Sequence, residues 1–369
     1  MTFDSLGVSA PYIKALKELH ITEPSPVQQQ SIPFLIGKGT DFIAEAPTGT
    51  GKTAAYGLPL LEKINAQSPH VQALVLTPTR ELGQQVAKQL FKFTKYADKI
   101  FTEAVYGGAK IDAQIAALKR PTQVVVATPG RLVDLLQKDA VDLSHVKVVV
   151  LDEADEMLSF GFKKELTRIL KHVPKEANTW LFSATMPPDV KAIIKAYLAP
   201  SAYRVTVGAD RLNKDIDHQY VMVQADDKLQ QLTDFLKAMS EERGMIFCRT
   251  KVAAKTLAKQ LKARNLATDA IHGDLLQKER DKVMRAFKNE SLQFLIATDI
   301  AARGIDVKGL TFVAHYELPD QVDYYIHRSG RTGRAGNKGT SLIFLTKEDK
   351  KYLDAIETNL QIGIDQVRL

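Results

Sequence analysis

The chain has 369 residues, 45% hydrophobic and 25% charged, the proportions of a folded globular protein and not of a disordered, collagen-like or disulfide-built one. That length exceeds one compact core and suits two domains of ~100–200 residues each. Lys and Arg outnumber Asp and Glu by 50 to 43, and the net charge of +7 fits a polyanionic partner without requiring one. The single cysteine, Cys248, excludes an internal disulfide and a cysteine-built zinc site. No apolar run approaches the ~18 residues of a membrane span. The opening Met1-Thr2-Phe3-Asp4-Ser5 lacks the basic-then-apolar pattern of a signal peptide, so a soluble, cytoplasmic chain is expected.

Short β-branched runs alternate with helix-length segments, the signature of βα units and parallel sheets. In the first half, strands are expected at 41–45, 73–77, 101–106, 123–127, 147–151 and 180–183, with helices over 54–65, 81–93 and 109–119 between them. The unbroken Val148-Val149-Val150-Leu151 suits a strand buried on both faces. The polar stretch 207–217 interrupts the alternation and reads as a linker. Strands then resume at 218–224, 245–248, 268–271, 294–298, 312–316 and 341–345. The expectation is two α/β domains, 1–207 and 218–369, each a mainly parallel sheet flanked by helices, joined by a linker over 208–217.

Ala46-Pro47-Thr48-Gly49-Thr50-Gly51-Lys52-Thr53 follows a strand and opens a helix, and departs from the P-loop pattern only at Ala46. Its glycines let backbone N–H groups turn onto phosphate oxygens, and the helix N-terminus adds partial positive charge. Lys52 would reach the β- and γ-phosphates and Thr53 would ligate Mg²⁺. A glycine-rich turn without a ligand is the bland alternative. Farther on, strand 147–151 runs into Asp152-Glu153-Ala154-Asp155. Carboxylates at the carboxyl end of a sheet strand stand where open α/β folds bind ligands. Asp152 would hold Mg²⁺ and Glu153 would orient and deprotonate an attacking water. Alone, this tetrapeptide reads first as a solvated acidic turn; beside a P-loop it becomes the second half of one site.

The second half has no Gly-Lys-Ser/Thr, so it should not bind a nucleotide at a P-loop of its own. It carries His327-Arg328-Ser329-Gly330-Arg331-Thr332-Gly333-Arg334. If these residues open a helix, Arg331 and Arg334 project from one face. Guanidiniums at a γ-phosphate stabilise transition-state charge, worth ~10³–10⁵ in rate for GTPases. A basic patch indifferent to phosphate is the alternative. One site completed from two domains would make hydrolysis depend on closure.

From Phe3 to about Leu345 the chain resembles the DEAD-box ATP-dependent RNA helicases of helicase superfamily two. The resemblance rests on an ordered series. It comprises Pro24-Ser25-Pro26-Val27-Gln28, the P-loop, Pro78-Thr79-Arg80-Glu81-Leu82, Gly107-Gly108, Thr128-Pro129-Gly130-Arg131 and Asp152-Glu153-Ala154-Asp155. Ser183-Ala184-Thr185, Phe247-Cys248-Arg249-Thr250, Gln277-Lys278-Glu279-Arg280, Ala297-Thr298-Asp299 through Arg303-Gly304-Ile305-Asp306, and His327 to Arg334 complete it. His20 is a departure, since the family commonly has glycine there.

The resemblance implies two tandem RecA-like domains with the active site in the cleft between them, using ATP and Mg²⁺. Gln28 resembles the adenine reader, whose amide can bond N6 and N7 together. Phe3 looks like the aromatic that stacks on the base. Thr48, Gly49, Thr50, Gly51, Lys52 and Thr53 would cradle the phosphates. Gly304 and Asp306 are similar to the ribose-side residues, His327, Arg331 and Arg334 to the groups completing the hydrolytic site, and Ser183 and Thr185 to those coupling nucleotide state to closure.

An RNA track is implied by Arg80, Gly108, Thr128 and Arg131, and by Thr250, Gly273, Gln277, Arg280 and Thr298. Phosphate and sugar contacts of this kind position a strand without reading sequence. Any preference for RNA over DNA rests on the resemblance, since the sequence shows no 2′-hydroxyl contact. Arg80 and Arg131 taken singly read as solvated surface arginines. Cys248, Trp180 and the Tyr324-Tyr325 pair read as core packing and not as reactive or base-stacking groups.

The implied activity is local separation of short RNA duplexes on ATP-driven closure, with hydrolysis to ADP and phosphate for release. The partners are single-stranded or duplex RNA, with protein cofactors or an RNA–protein assembly alongside. Alternatives are a slow ATP-gated RNA clamp and a duplex-tracking DNA translocase. The stretch 361–369 carries no basic or Gly-Arg-rich tail, so non-specific, salt-sensitive RNA affinity is expected.

Overall fold

Aliphatic runs set the strands. Every residue of Val124–Ala127 and of Val148–Asp152 is buried, as a strand with helices on both faces requires. The computed structural model describes residues 1–368 except 38, 39, 48, 208–212, 303, 306, 308 and 334–336. It divides into two units, Met1–Ala209 and Asp210–Leu369.

The first unit runs α1 (Ala10–Glu18), α2 (Pro26–Gly37), β1 (Phe42–Glu45), α3 (Lys52–Glu62), β2 (Ala73–Leu76), α4 (Arg80–Phe93), β3 (Thr102–Val105), α5 (Ile111–Leu118) and β4 (Val124–Ala127). It continues with α6 (Pro129–Gln137), β5 (Val148–Asp152), α7 (Ala154–Ser159), α8 (Lys163–Leu170), β6 (Asn178–Ser183), α9 (Pro188–Tyr197) and β7 (Tyr203–Thr206). The second unit runs β8 (Ile216–Met222), α10 (Lys228–Ala238), β9 (Gly244–Cys248), α11 (Lys251–Lys262), β10 (Thr268–Ile271), α12 (Gln277–Lys288) and β11 (Phe294–Thr298). Then follow α13 (Asp299–Ala302), β12 (Phe312–His315), α14 (Val322–Ser329), β13 (Gly339–Leu345), α15 (Lys350–Leu360) and β14 (Asp365–Gln366).

Each unit holds a seven-stranded sheet, ordered β3-β4-β2-β5-β6-β1-β7 in the first and β10-β11-β9-β12-β13-β8-β14 in the second. Neighbouring strands pair parallel throughout. Subtracting seven from each strand number of the second order reproduces the first, so the two halves share one topology. Alternate side chains go to opposite faces of a strand. Phe42, Ala44, Val75, Val150 and Phe182 accordingly join one core layer, while Ile43, Leu74, Leu76, Val149 and Leu181 join the other.

The expected strands are present, and two more appear at sheet edges. In β7 only Val205 is buried, and β14 has two exposed residues, so neither carries the apolar run that marked the others. The stretch read as linker needs correction at its end. β8 begins at Ile216, which is buried and pairs with Gly339, so Ile216 and Asp217 belong to the sheet. Residues 208–212 of that stretch lie outside the described residues. Trp180, Cys248 and Tyr325 are fully buried, in keeping with packing roles. Among the described residues, no helix is long and apolar enough to cross a membrane.

Candidate functional site

The carboxyl ends of β1, β6 and β5 lie side by side and carry the nucleotide motifs. After β1 the chain turns through Gly49 and Gly51, at φ 82° and 89°, before α3 starts at Lys52. Gly51 has a second constraint. A Cβ there would stand 2.4 Å from Gln28 Nε2, so only glycine lets the Gln28 amide reach the loop. That amide donates to Gly51 O (3.0 Å) and accepts from Ser25 N (2.9 Å), while Ser25 Oγ donates to Thr50 O (2.7 Å). The segment before α2 thus braces the P-loop, a role for Ser25 that the sequence did not announce. Lys52 is buried, and its ammonium donates to Ala46 O (2.8 Å) and Pro47 O (3.3 Å). Thr53 occupies the first turn of α3 and is half-buried. Thr48 lies outside the described residues.

Phe3 needs a different reading from the one expected. Its ring is 3% exposed and packs in the first core layer, so in this structure it supports the unit and offers no open face to a base.

At the end of β5, Asp152 is buried; Tyr56 OH donates to its Oδ2 (2.8 Å), and among the described residues its Oδ1 has no hydrogen-bond partner. Burial pushes the Asp152 carboxyl up to about 7, the adjacent Glu153 carboxylate adds to the rise, and the Lys52 ammonium opposes it. A buried carboxylate with one unsatisfied oxygen suits a hard divalent cation. Among the described residues no group of three His, Cys, Asp or Glu side chains could hold a metal by itself. Mg²⁺ generally takes one or two carboxylates plus substrate phosphates, which suits Asp152 at the end of β5. Glu153 follows at φ 50° and is itself buried.

A pH dependence follows. The folded pKa of Asp152 is raised, so stability contributed by its protonated form is present near pH 4 and is lost as pH climbs toward 7. A cation must displace that proton. Mg²⁺–nucleotide affinity is therefore expected to fall by up to ~10-fold per pH unit below about 7 and to level off above it. Nucleotide titrations from pH 6 to 8 on wild type and Asp152→Asn check this; the variant should show only the slope of the nucleotide itself.

Ser183 at the end of β6 and Thr185 close a buried network on Asp155. Asp155 Oδ2 accepts from Thr185 N (2.9 Å) and Oγ1 (2.8 Å), Asp155 N donates to Ser183 Oγ (3.2 Å), and Ser183 Oγ donates to Thr185 O (2.7 Å). Asp155 is the anchor, a role that adjacency to Asp152 in sequence did not reveal. Ser183 and Thr185 are thereby tied to the 152–155 turn.

In the second unit the arginine-rich segment corrects the expected helix. α14 ends at Ser329, so Arg331 lies beyond its C-terminus and not within the first turn of a helix. Gly330 caps the helix and Gly333, at φ 65°, continues the turn; a Cβ on Gly333 would meet Ile216 Cγ1 at 2.5 Å. Arg331 is buried and donates to His327 O (3.2 Å) and Ile305 O (3.0 Å). It lines a small cleft with His327, Asp299 and Tyr324. Gly304 takes φ 69° just before that carbonyl-bearing Ile305. Arg334, Asp306 and Arg303 lie outside the described residues. Sequence reasoning missed Arg328, 1% exposed, which makes two bonds to Asp299 (2.5 and 2.8 Å) and one to Glu317 O (2.6 Å).

The shared topology places the expected RNA residues at equivalent positions. Gly108, Thr128 and Arg80 follow β3, β4 and β2; Gly273, Thr298 and Thr250 stand at or just after the ends of β10, β11 and β9, the same three places in the second sheet. Thr79 caps α4 through Leu82 N (3.3 Å), as Thr250 caps α11 through Ala253 N (3.1 Å). Exposed Gly108 turns at φ 82°. Arg80 sits over the Tyr106 ring at 5.6 Å. Arg131 is committed elsewhere, donating to Gln114 Oε1 (2.6 Å) and Ala109 O (3.0 Å), where it braces the loop bearing Gly108. Arg280 donates to Ala301 O (2.9 Å) and Gln277 to Asp281 Oδ1 (2.5 Å), so both begin from intramolecular bonds.

Residues 25–193 match the DEAD/DEAH box helicase family, and residues 227–336 match the helicase conserved C-terminal domain. The chain is 43% identical to the ATP-dependent RNA helicase CshA of Limosilactobacillus reuteri, across 97% of this chain and 71% of that protein. It is 40% identical to the DEAD-box ATP-dependent RNA helicase CshA of Bacillus subtilis, across 100% of this chain and 74% of that one. Among solved structures, Saccharomyces cerevisiae Dbp5 bound to RNA and ADP BeF3 superposes with a TM-score of 0.90 at 31% identity, covering 99% of this chain and 95% of that one. The chain belongs to the DEAD-box ATP-dependent RNA helicases. Its two parallel sheets are the tandem RecA-like domains of that family.

Proposed function

We propose that the chain is an RNA-stimulated ATPase that binds single-stranded RNA without reading its sequence and separates short RNA duplexes locally, working in the cytoplasm with ATP and Mg²⁺. The observation that carries this reading is Asp152, a buried carboxylate at a strand end with one oxygen held by Tyr56 and the other without a hydrogen-bond partner among the described residues, within the field of Lys52.

Thr53 and Asp152 would hold Mg²⁺, which supplies charge neutralisation on the phosphates. Lys52 exchanges the Ala46 and Pro47 carbonyls for phosphate oxygens, and the backbone of 48–51 donates to the same group. Glu153 accepts a proton from the attacking water. Gln28 reads adenine from the P-loop side, so base recognition and loop shape are linked through its bond to Gly51. Arg331 and Arg334, with His327, stabilise charge on the γ-phosphate once the two units close, and Gly304 and Asp306 serve the ribose. Ser183 and Thr185 report that state through Asp155. RNA lies along Arg80, Gly108 and Thr128 on one unit and Thr250, Gly273, Gln277, Arg280 and Thr298 on the other, with Arg131 shaping the Gly108 loop.

The test is strand separation of a short RNA duplex with Mg²⁺ and ATP. Separation with ATP, none with ADP, and none with Lys52→Ala is the expected result. An RNA-bound protein that leaves the duplex intact in ATP would overturn the helicase reading.

A further inference from the structure

Away from the nucleotide residues, the first unit carries a groove of about 750 Å³ between the end of α1, the end of α4 with the 3-10 turn Thr94–Tyr96, and the start of β3. Its lining includes the aliphatic side chains of Ala15, Leu19 and Ile100. Two aromatic rings on its wall stand out in solvent, Phe91 at 71% exposure and Phe101 at 40%, although large apolar side chains are ordinarily withdrawn.

The charges around it are uneven. Glu18 is paired with Lys95 and also accepts from Tyr96 OH (2.6 Å); Glu103 is paired with Arg120 at 3.4 Å. Both lining carboxylates therefore have cations of their own. Lys92 and Lys99 also line the groove, and among the described residues neither has a carboxylate partner, Lys99 lying 4.8 Å from the centroid of the Phe101 ring. The groove is thus an apolar trough with two surplus positive charges at its rim.

We infer that this groove docks a short peptide segment of a partner protein, with apolar anchor residues for the trough and Asp or Glu beside them for Lys92 and Lys99. Nucleic acid fits less well. Its aliphatic lining suits inserted side chains and not flat bases. The location suits a partner that rides on the working enzyme. The groove lies at the amino end of β3, whereas Gly108 follows the carboxyl end of that strand and Lys52 and Asp152 stand at the carboxyl ends of others in the same parallel sheet.

Selection of a random twelve-residue peptide library on the full chain tests the inference, followed by anisotropy titration of a labelled selected peptide. The expected peptides carry paired apolar residues flanked by acids. Binding should weaken at least ~10-fold in Phe91→Ser and in Lys92→Glu/Lys99→Glu, with melting curves and RNA-stimulated hydrolysis unchanged. Peptides that bind these variants as well as wild type, selection of basic peptides, or displacement of the peptide by an RNA oligonucleotide that crosslinks at Phe91 would each overturn it. Because hydrolysis and peptide binding are read separately, failure here leaves the helicase reading standing, and the reverse also holds.

Discussion

Glu153→Gln is expected to lower RNA-stimulated ATP hydrolysis by ~10²–10⁴-fold while the protein still binds nucleotide, the range that removal of a general base produces. Glu153 follows the last residue of β5 and is buried in a left-handed backbone conformation at φ 50°. For a non-glycine residue that geometry costs about 1–3 kcal/mol, strain of a kind that gathers at functional sites. The turn is fixed on both sides, by Tyr56 on Asp152 and by Thr185 and Ser183 on Asp155, so Glu153 stands between two anchored neighbours. Glutamine keeps the shape and removes the basicity. Single-turnover hydrolysis alongside fluorescent-nucleotide binding separates the two effects. A variant that hydrolyses at the wild-type rate would remove Glu153 from the chemistry.

The largest stability effect is expected at Asp299→Ala. Arg328 is 1% exposed, and its charge is met by the two Asp299 oxygens and the Glu317 carbonyl, with the Phe247 ring 5.2 Å away. Deleting the carboxylate leaves a buried guanidinium without its counter-ion, a loss of about 3–5 kcal/mol. The second unit's melting point should fall on the order of 10 °C. Asp299→Ala/Arg328→Met, which removes the charge as well, should recover much of that loss, since an apolar replacement of a buried pair is often near neutral. Removing Asp274 from its exposed pair with Lys251 should leave melting unchanged. The outcome bears on activity too, because Arg328 fixes the end of α14, and His327 and Arg331 stand on either side of it.

The sheets were legible because parallel strands must be continuously apolar, and Val148 to Leu151 or Phe294 to Ala297 say so without help from the rest of the chain. The P-loop was legible because glycine spacing is dictated locally by phosphate geometry. What stayed hidden was set by contacts between residues remote in sequence. Tyr56 meets Asp152 across 96 positions and Arg328 meets Asp299 across 29, and no periodicity encodes either pair. Phe3 was expected to stack on the base from the family resemblance alone, whereas the fold packs that ring in the core. A shared helix face for Arg331 and Arg334 was conditional on a helix opening there, since Arg-x-x-Arg has helical spacing. Gly330 carries the opposite signal and caps the helix before Arg331, and Gly333 continues the turn after it.

Steady-state ATP hydrolysis measured without nucleic acid, with single-stranded RNA, and with DNA of the same sequence tests the central claim most directly. The account predicts slow hydrolysis alone, strong stimulation by RNA and little by DNA. Equal stimulation by RNA and DNA, or full hydrolysis with neither, would contradict it.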